Sequence, residues 1–195
     1  YGCQMNVYDG DRIASEFLAR GWKEVAEEEA DVVVYVTCSI RDKAEQKVRS
    51  ELGRHAPKGE GRHRLVAVVG CMAQRVGREL LSRFPQVRVV CGPRHLGRLA
   101  EAVEASLRGG ETAVLLDDDP RALDDLERVP TRRLLPFKSF VTIAHGCDNF
   151  CTYCIVPYVR GNEKNRDPDA IVEEIRRLAG GGVREVTLLG QTVSH

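Results

Sequence analysis

The sequence predicts an α/β protein: a doubly wound parallel-sheet amino-terminal domain followed by a further β-α-β unit. Three observations carry this. Apolar, largely β-branched runs recur at 32–36, 65–69 and 87–90, as in strands buried on both faces of a parallel sheet. The stretches after them repeat apolar residues every three or four positions, which marks one face of a helix. Strand and helix alternate, the order of a doubly wound sheet.

Taken in order, Gly2-Cys3-Gln4-Met5-Asn6 carries no local pattern from which an element can be argued. Ile13, Ala14, Phe17 and Leu18 mark a helix face that Gly21 ends. Strand 32–36 leads directly into Thr37 and Cys38. Ser39 and Asp42 then form a capping-box pattern, and Ile40, Ala44, Val48 and Leu52 repeat every four residues, so Cys38 is expected between a strand end and a first helical turn. Strand 65–69 is followed by Gly70-Cys71-Met72 and a helix with Val76, Leu80 and Leu81. Strand 87–90 and a helix with Leu96, Leu99, Ala100, Val103 and Leu107 close the first domain, 1–109, at Gly109-Gly110.

Residues 110–136 read as a linker: 113–116 suit a short strand, and Asp117, Asp118, Asp119, Asp124, Asp125 and Glu127 make an acidic, solvated stretch. The second domain is expected over 137–195. Strand 139–143 enters a cysteine-rich loop, Asp167-Pro168 supplies a helix cap and first residue, and Ile171, Ile175 and Leu178 give the buried face. Gly180, Gly181 and Gly182 end that helix before strand 186–189 and Gly190-Gln191. One β-α-β unit is far short of the eight repeats of a full barrel.

The chain has 195 residues, 43% hydrophobic and 30% charged, which suits a soluble globular protein of one large or two small domains. No apolar run approaches the roughly 18 residues of a membrane span and no signal peptide is visible, so no membrane association is expected. Seven cysteines are an odd number for a disulfide framework, and a reducing, cytoplasmic location is expected. Twenty-nine basic against 29 acidic residues give a net charge of zero, so any nucleic-acid site must be local; Arg160, Lys164 and Arg166 are read as phosphate contacts or surface charges. The chain starts at Tyr1 and closes at His195 just after a strand-like run, and is expected to be a fragment.

Chemistry concentrates in Gly146-Cys147-Asp148-Asn149-Phe150-Cys151-Thr152-Tyr153-Cys154. Three thiols this close can meet at one metal centre with little loop-closure cost. Zinc competes, but a structural zinc site takes four protein ligands and the local count stops at three. Cys38 and Cys71 fall at the carboxyl ends of strands, where ligands bind in such sheets, and Cys3 would join them if a strand preceded it. Helix amino termini there favour thiolates. From position alone, buried thiols and a second ligand set both remain open for these three. Cys91, beside the turn residues Gly92-Pro93, reads as structural.

The 147–154 run, with Tyr153 just before its last cysteine, resembles the signature of the radical S-adenosylmethionine (SAM) superfamily. The resemblance implies that Cys147, Cys151 and Cys154 hold three irons of a 4Fe-4S cluster. Its fourth iron takes the amino and carboxylate groups of SAM, and reductive cleavage then yields a deoxyadenosyl radical. The second unit would then be the first β-α-β unit of a truncated radical SAM barrel.

Gly2-Cys3-Gln4-Met5-Asn6, Thr37-Cys38-Ser39-Ile40-Arg41, Gly70-Cys71, the 147–161 segment and Leu188-Leu189-Gly190-Gln191 together resemble the methylthiotransferase family. That implies a second, auxiliary 4Fe-4S cluster on Cys3, Cys38 and Cys71, with Tyr153, Gly190 and Gln191 contacting SAM. It further implies sulfur delivery through the auxiliary cluster, a flavodoxin- or ferredoxin-type electron donor and a monomer. Gln4-Met5-Asn6 is most similar to the branch acting on tRNA, which converts isopentenyladenosine beside the anticodon to its 2-methylthio form; a sister branch modifies a ribosomal-protein aspartate. Val36, Asn162, Asn165, Thr192 and Ser194 depart from the family's usual residues, and the rest of the barrel and an RNA-binding domain are absent. Outside this class, the sequence also suits an iron-sulfur electron-transfer module that never cleaves SAM.

Overall fold

The computed structural model describes residues 2–54, 64–117 and 136–192. Tyr1, Ser194 and, from the acidic run, Asp118, Asp119, Asp124, Asp125 and Glu127 lie outside the described residues.

Helix α1 (Gln4–Ala19) opens the chain, followed by β1 (Val32–Thr37), α2 (Asp42–Arg54), β2 (Leu65–Gly70), α3 (Cys71–Arg83) and β3 (Val87–Cys91). A 3-10 turn (Pro93–Arg98), α4 (Leu99–Gly109) and β4 (Ala113–Leu115) complete the first unit. The four strands form one parallel sheet in the order β1-β2-β3-β4, with Val32 opposite Leu65 and Thr37 opposite Gly70. Helices cover both faces. Val48 and Leu52 of α2 and Met72, Ala73 and Leu80 of α3 pack on Tyr35, Val66, Val68 and Val90. On the other face, Ile13 and Phe17 of α1 and Leu99 and Val103 of α4 pack on Ala67, Val69, Val89 and Cys91. Val66, Val68 and Val69 of β2 have no exposed surface, and burying each valine is worth about 1.5 kcal/mol or more, so β2 anchors the sheet.

The second unit contains β5 (Lys138–Thr142), β6 (Ala144–His145), α5 (Val156–Arg160), β7 (Lys164–Asn165), α6 (Pro168–Gly180) and β8 (Glu185–Leu189). β5 and β8 pair in parallel from Lys138–Glu185 to Thr142–Leu189, with α6 as the crossover. Asp167 caps α6 as expected, its Oδ1 accepting from the amides of Asp169 at 2.8 Å and Ala170 at 3.1 Å. A short antiparallel β6-β7 ladder pinches together the two ends of the cysteine-rich loop.

The two units are joined through α1. Met5 and Tyr8 pack against Leu189 of β8 and Phe140 of β5. Burial pushes the Tyr8 phenol up to about 12.

Several sequence expectations are corrected. Residues 3–6 carry structure after all, because α1 begins at Gln4 with Cys3 at its amino-terminal cap position, where the Cys3 carbonyl accepts from the amides of Asn6 and Val7. Ser39 does not cap α2: the helix starts later, at Asp42, the Ser39 hydroxyl is buried without a partner among the described residues, and Ile40 is 58% exposed. Arg160 and Arg166 are neither surface charges nor phosphate contacts. Both are buried, paired with Asp9 at 2.7 Å and with Glu174 at 2.6 Å respectively.

Candidate metal centres

Cys3, Cys38 and Cys71 form a sheet triad at the carboxyl edge of the parallel sheet. Cys38 follows the last residue of β1, Cys71 is the first residue of α3, and Cys3 precedes α1. Thr37 fixes this corner, its hydroxyl donating to the Val69 carbonyl of the neighbouring strand at 2.6 Å. Gly2, at φ +143°, lets the chain pass so close that an added Cβ would lie 2.6 Å from that of Cys38. The Cys38 thiol donates to Cys3 and, against burial, brings the Cys3 thiol down to about 5. Cys38 is raised in return, first by that shared proton and then by burial, with Cys71 adding a smaller electrostatic push. Asn6 Oδ1 lies 3.3 Å from Cys3 Sγ, and the Ile40 amide is 3.5 Å from Cys38 Sγ. The shared hydrogen bond favours the thiolate of Cys3 over that of Cys38.

Cys147, Cys151 and Cys154 form a loop triad between β6 and α5. Its frame is almost entirely backbone. The Cys147 amide donates to the Gly161 carbonyl at 3.1 Å, the Cys154 amide to the Cys151 carbonyl at 2.9 Å, and the Glu163 amide to Asp148 Oδ1 at 3.1 Å. Gly146, at φ +71°, has no room for a side chain: a Cβ would lie 2.5 Å from the Gly161 carbonyl oxygen and closer still to that of Asn162. Cys147 is buried, Cys154 half-buried and Cys151 exposed. Asn149 Nδ2 donates to Cys147 Sγ at 3.4 Å, and Thr192 Oγ1 lies 3.3 Å from the same sulfur.

Of the candidate SAM contacts, Tyr153 lies within this loop and is 90% exposed, while Gly190 and Gln191 follow β8 and precede Thr192, which reaches Cys147; Gln191 Oε1 is buried and lacks a hydrogen-bond partner among the described residues. Phe150, at φ +44°, packs edge-on against Tyr158 with ring centroids 5.8 Å apart. The large groove of about 570 Å³ lies elsewhere, between α1 and β1, walled mainly by Val7, Ala14, Phe17, Val32 and Val34. It touches the chemistry only at Cys3, so the thiols and not the cavity define the candidate sites.

Sequence reasoning named all six candidate cysteines but missed Thr192, Asn149 and the Arg160–Asp9 pair. Thr192 stood out only as a departure from the family's asparagine; nothing local marks a partner 151 residues away. Cys91 is fully buried in the core, its thiol donating to the Gly92 carbonyl at 3.4 Å.

All seven cysteines are free thiols. Among the described residues no three Cys, His, Asp or Glu converge at the spacing of a bound metal ion, so neither triad is a preformed four-ligand zinc shell. The donor sets still fit iron-sulfur clusters. Each offers three soft sulfur ligands, one set beside helix amino termini and the other beside the Asn149 and Thr192 side chains, the surroundings that favour thiolates and hydrogen-bond cluster sulfur.

Residues 1–92 match the family described as "Uncharacterized protein family UPF0004", and residues 141–195 match the radical SAM superfamily. A protein of Novosphingobium aromaticivorans named tRNA-2-methylthio-N(6)-dimethylallyladenosine synthase is 44% identical over 195 residues, covering 100% of this chain and 43% of that protein. The protein of the same name from Maricaulis maris is 44% identical over 200 aligned residues, again covering 100% of this chain and 43% of its own length. One from Desulfosudis oleivorans is 44% identical over 99% of this chain and 42% of its own. The chain thus spans less than half the length of these relatives. No described helix is long and apolar enough to cross a membrane.

Proposed function

Because the chain belongs to the methylthiotransferase family of radical SAM proteins, we propose that it forms the cluster-bearing part of an enzyme that adds a methylthio group to N6-dimethylallyladenosine in tRNA. The first unit, which β4 extends past the expected boundary at 109, would carry the auxiliary site on Cys3, Cys38 and Cys71, and 137–195 the radical site on Cys147, Cys151 and Cys154. The observation that carries the reading is the juxtaposition of the two triads. Helix α5, directly after the loop triad, packs against α3, whose first residue is Cys71, and its Arg160 pairs with Asp9 six residues after Cys3. A sulfur-bearing centre and a radical-generating centre that share an interface are what carbon-sulfur bond formation on one substrate requires.

When bound, the cluster and SAM would supply the hydrogen-abstracting radical. The chain's own residues do the rest. Thr192 and Asn149 orient Cys147, Gly146 and the β6-β7 ladder hold the loop's ends together, and Tyr153, Gly190 and Gln191 would contact SAM. The enzyme would act as a cytoplasmic monomer fed by a flavodoxin- or ferredoxin-type donor. Anaerobic incubation of the reconstituted full-length protein with SAM, reductant and tRNA bearing dimethylallyladenosine, followed by nucleoside analysis, tests this. The 2-methylthio nucleoside should form and should vanish when Cys3, Cys38 and Cys71 are replaced, whereas residues 1–195 alone, with one β-α-β unit of a barrel, should load both clusters and form none. A full-length protein that holds iron but leaves both this tRNA and ribosomal protein unmodified would be an electron-transfer module instead, and modification of a ribosomal-protein aspartate would assign the sister activity.

A further inference from the structure

Arg160 ends α5, six residues beyond Cys154, yet its side chain does not serve the loop that carries it. The side chain is 3% exposed, and Nη2 donates to Asp9 Oδ2, itself on a side chain 1% exposed, at 2.7 Å across the interface between the two units. Arg160 Nη1 is also buried and has no hydrogen-bond partner among the described residues. Removing a guanidinium from water costs several kcal/mol, and the cost is offset only when its donors are used. Asp9 Oδ1 is likewise buried without a partner among the described residues, so a single hydrogen bond joins the pair and Nη1 is not spent on the carboxylate.

The elements around the pair lead to the sheet triad. Asp9 lies on the helix that Cys3 begins, and α5 rests on the helix that Cys71 begins. Burial opposes the Arg160 charge, but Cys71, Asp9 and Cys3 together outweigh it and hold the guanidinium above its ordinary pKa. A fixed cation therefore stands in a water-poor interface beside the sheet triad. A cluster on three thiolates gains a further negative charge on reduction, and net charge and hydrogen bonds to sulfur are what set its potential.

We propose that Arg160, supplied by the radical unit, is the positioning counter-charge of the auxiliary centre on Cys3, Cys38 and Cys71, and that it raises that centre's reduction potential. Its role depends on the docking of the two units, because the cation and the thiols lie on opposite sides of their interface. The inference rests on the reading that those three cysteines hold an iron-sulfur cluster. It differs from the simpler role of Arg160–Asp9 as a staple: a staple is broken by losing either partner, whereas a counter-charge has a sign.

The test is a spectroscopic redox titration of the reconstituted protein with Cys147, Cys151 and Cys154 replaced by alanine, so that only the auxiliary centre is read. Arg160→Gln should change the oxidised-to-reduced ratio at a fixed potential about tenfold toward the oxidised form, or ~59 mV for a one-electron couple. Asp9→Asn should move it in the opposite direction, and Arg160→Lys should stay near the parent. Shifts of the same sign in Arg160→Gln and Asp9→Asn, or no shift in either, overturn the proposal. Where Arg160→Gln fails to retain iron, Asp9→Asn decides: a potential that falls or stays put overturns it. Absence of iron at the triad in the parent overturns the cluster assignment as well, whereas a loaded centre indifferent to both changes overturns this inference alone.

Discussion

The two thiol triads solve the same problem by opposite means. The sheet triad gathers residues 38 and 71 from two strand-to-helix corners and residue 3 from the start of α1, and the buried parallel sheet holds the two corners in register. The loop triad fits into eight residues, 147–154, and is held by backbone hydrogen bonds, one short ladder and the crowding around Gly146. A site dispersed in sequence borrows its rigidity from a core such as β2. A compact site must build its own frame, and it depends on a few irreplaceable contacts.

Breaking buried charge pairs should expose this difference most strongly. Arg166 donates to the Thr142 carbonyl at 2.9 Å and pairs with the buried Glu174, tying the exit of the loop to its entry. Glu174→Gln should cost about 3–5 kcal/mol, because it takes the facing carboxylate charge from a buried cation. Hydrogen exchange should accelerate in 138–189 well before 65–91. The pair Arg49–Glu79 on the sheet unit, with Glu79 52% exposed, should cost under about 1 kcal/mol when Arg49 is replaced by alanine.

Glycine substitutions should separate the sites next. Gly146→Ala should cost about 1–3 kcal/mol of local strain and lower iron binding at the loop triad only. Gly2→Ala, pressing on the Cys38 side chain, should lower it at the sheet triad only. Iron analysis of the two variants, each combined with alanines at the other triad, reads this directly. Cys91→Ala should cost on the order of 1 kcal/mol and leave the spectra of both centres unchanged, since its thiol is core packing. The smallest effects belong to helix starts. Asp167→Ala should lose about 1 kcal/mol in thermal or denaturant unfolding, and Ser39→Ala only a few tenths, because only the first side chain caps a helix.

Most of this architecture was legible because its signals are local. Runs such as 65–69 announce buried strands, and Asp167-Pro168 announces a helix start through its own chemistry. The beginning of α1 was not legible: Gln4, Met5 and Asn6 carry no helical pattern by themselves, and Met5 is buried by Leu189 of the other unit. Ser39 shows the converse failure, a correct capping pattern overridden because the chain leaves Cys38 buried and enters the helix only at Asp42. All six candidate ligands could be named from motif and strand position. The charges around them could not, since Arg160 looks like any surface arginine until α1 brings Asp9 to it.

The central claim is that these two unlike frames each hold one iron-sulfur centre, and iron counting tests it most directly. After anaerobic reconstitution, replacing Cys147, Cys151 and Cys154 together should remove about half of the iron, and replacing Cys3, Cys38 and Cys71 should remove the other half. Loss of all the iron with the first set and none with the second would contradict the account, leaving the sheet triad as three buried thiols.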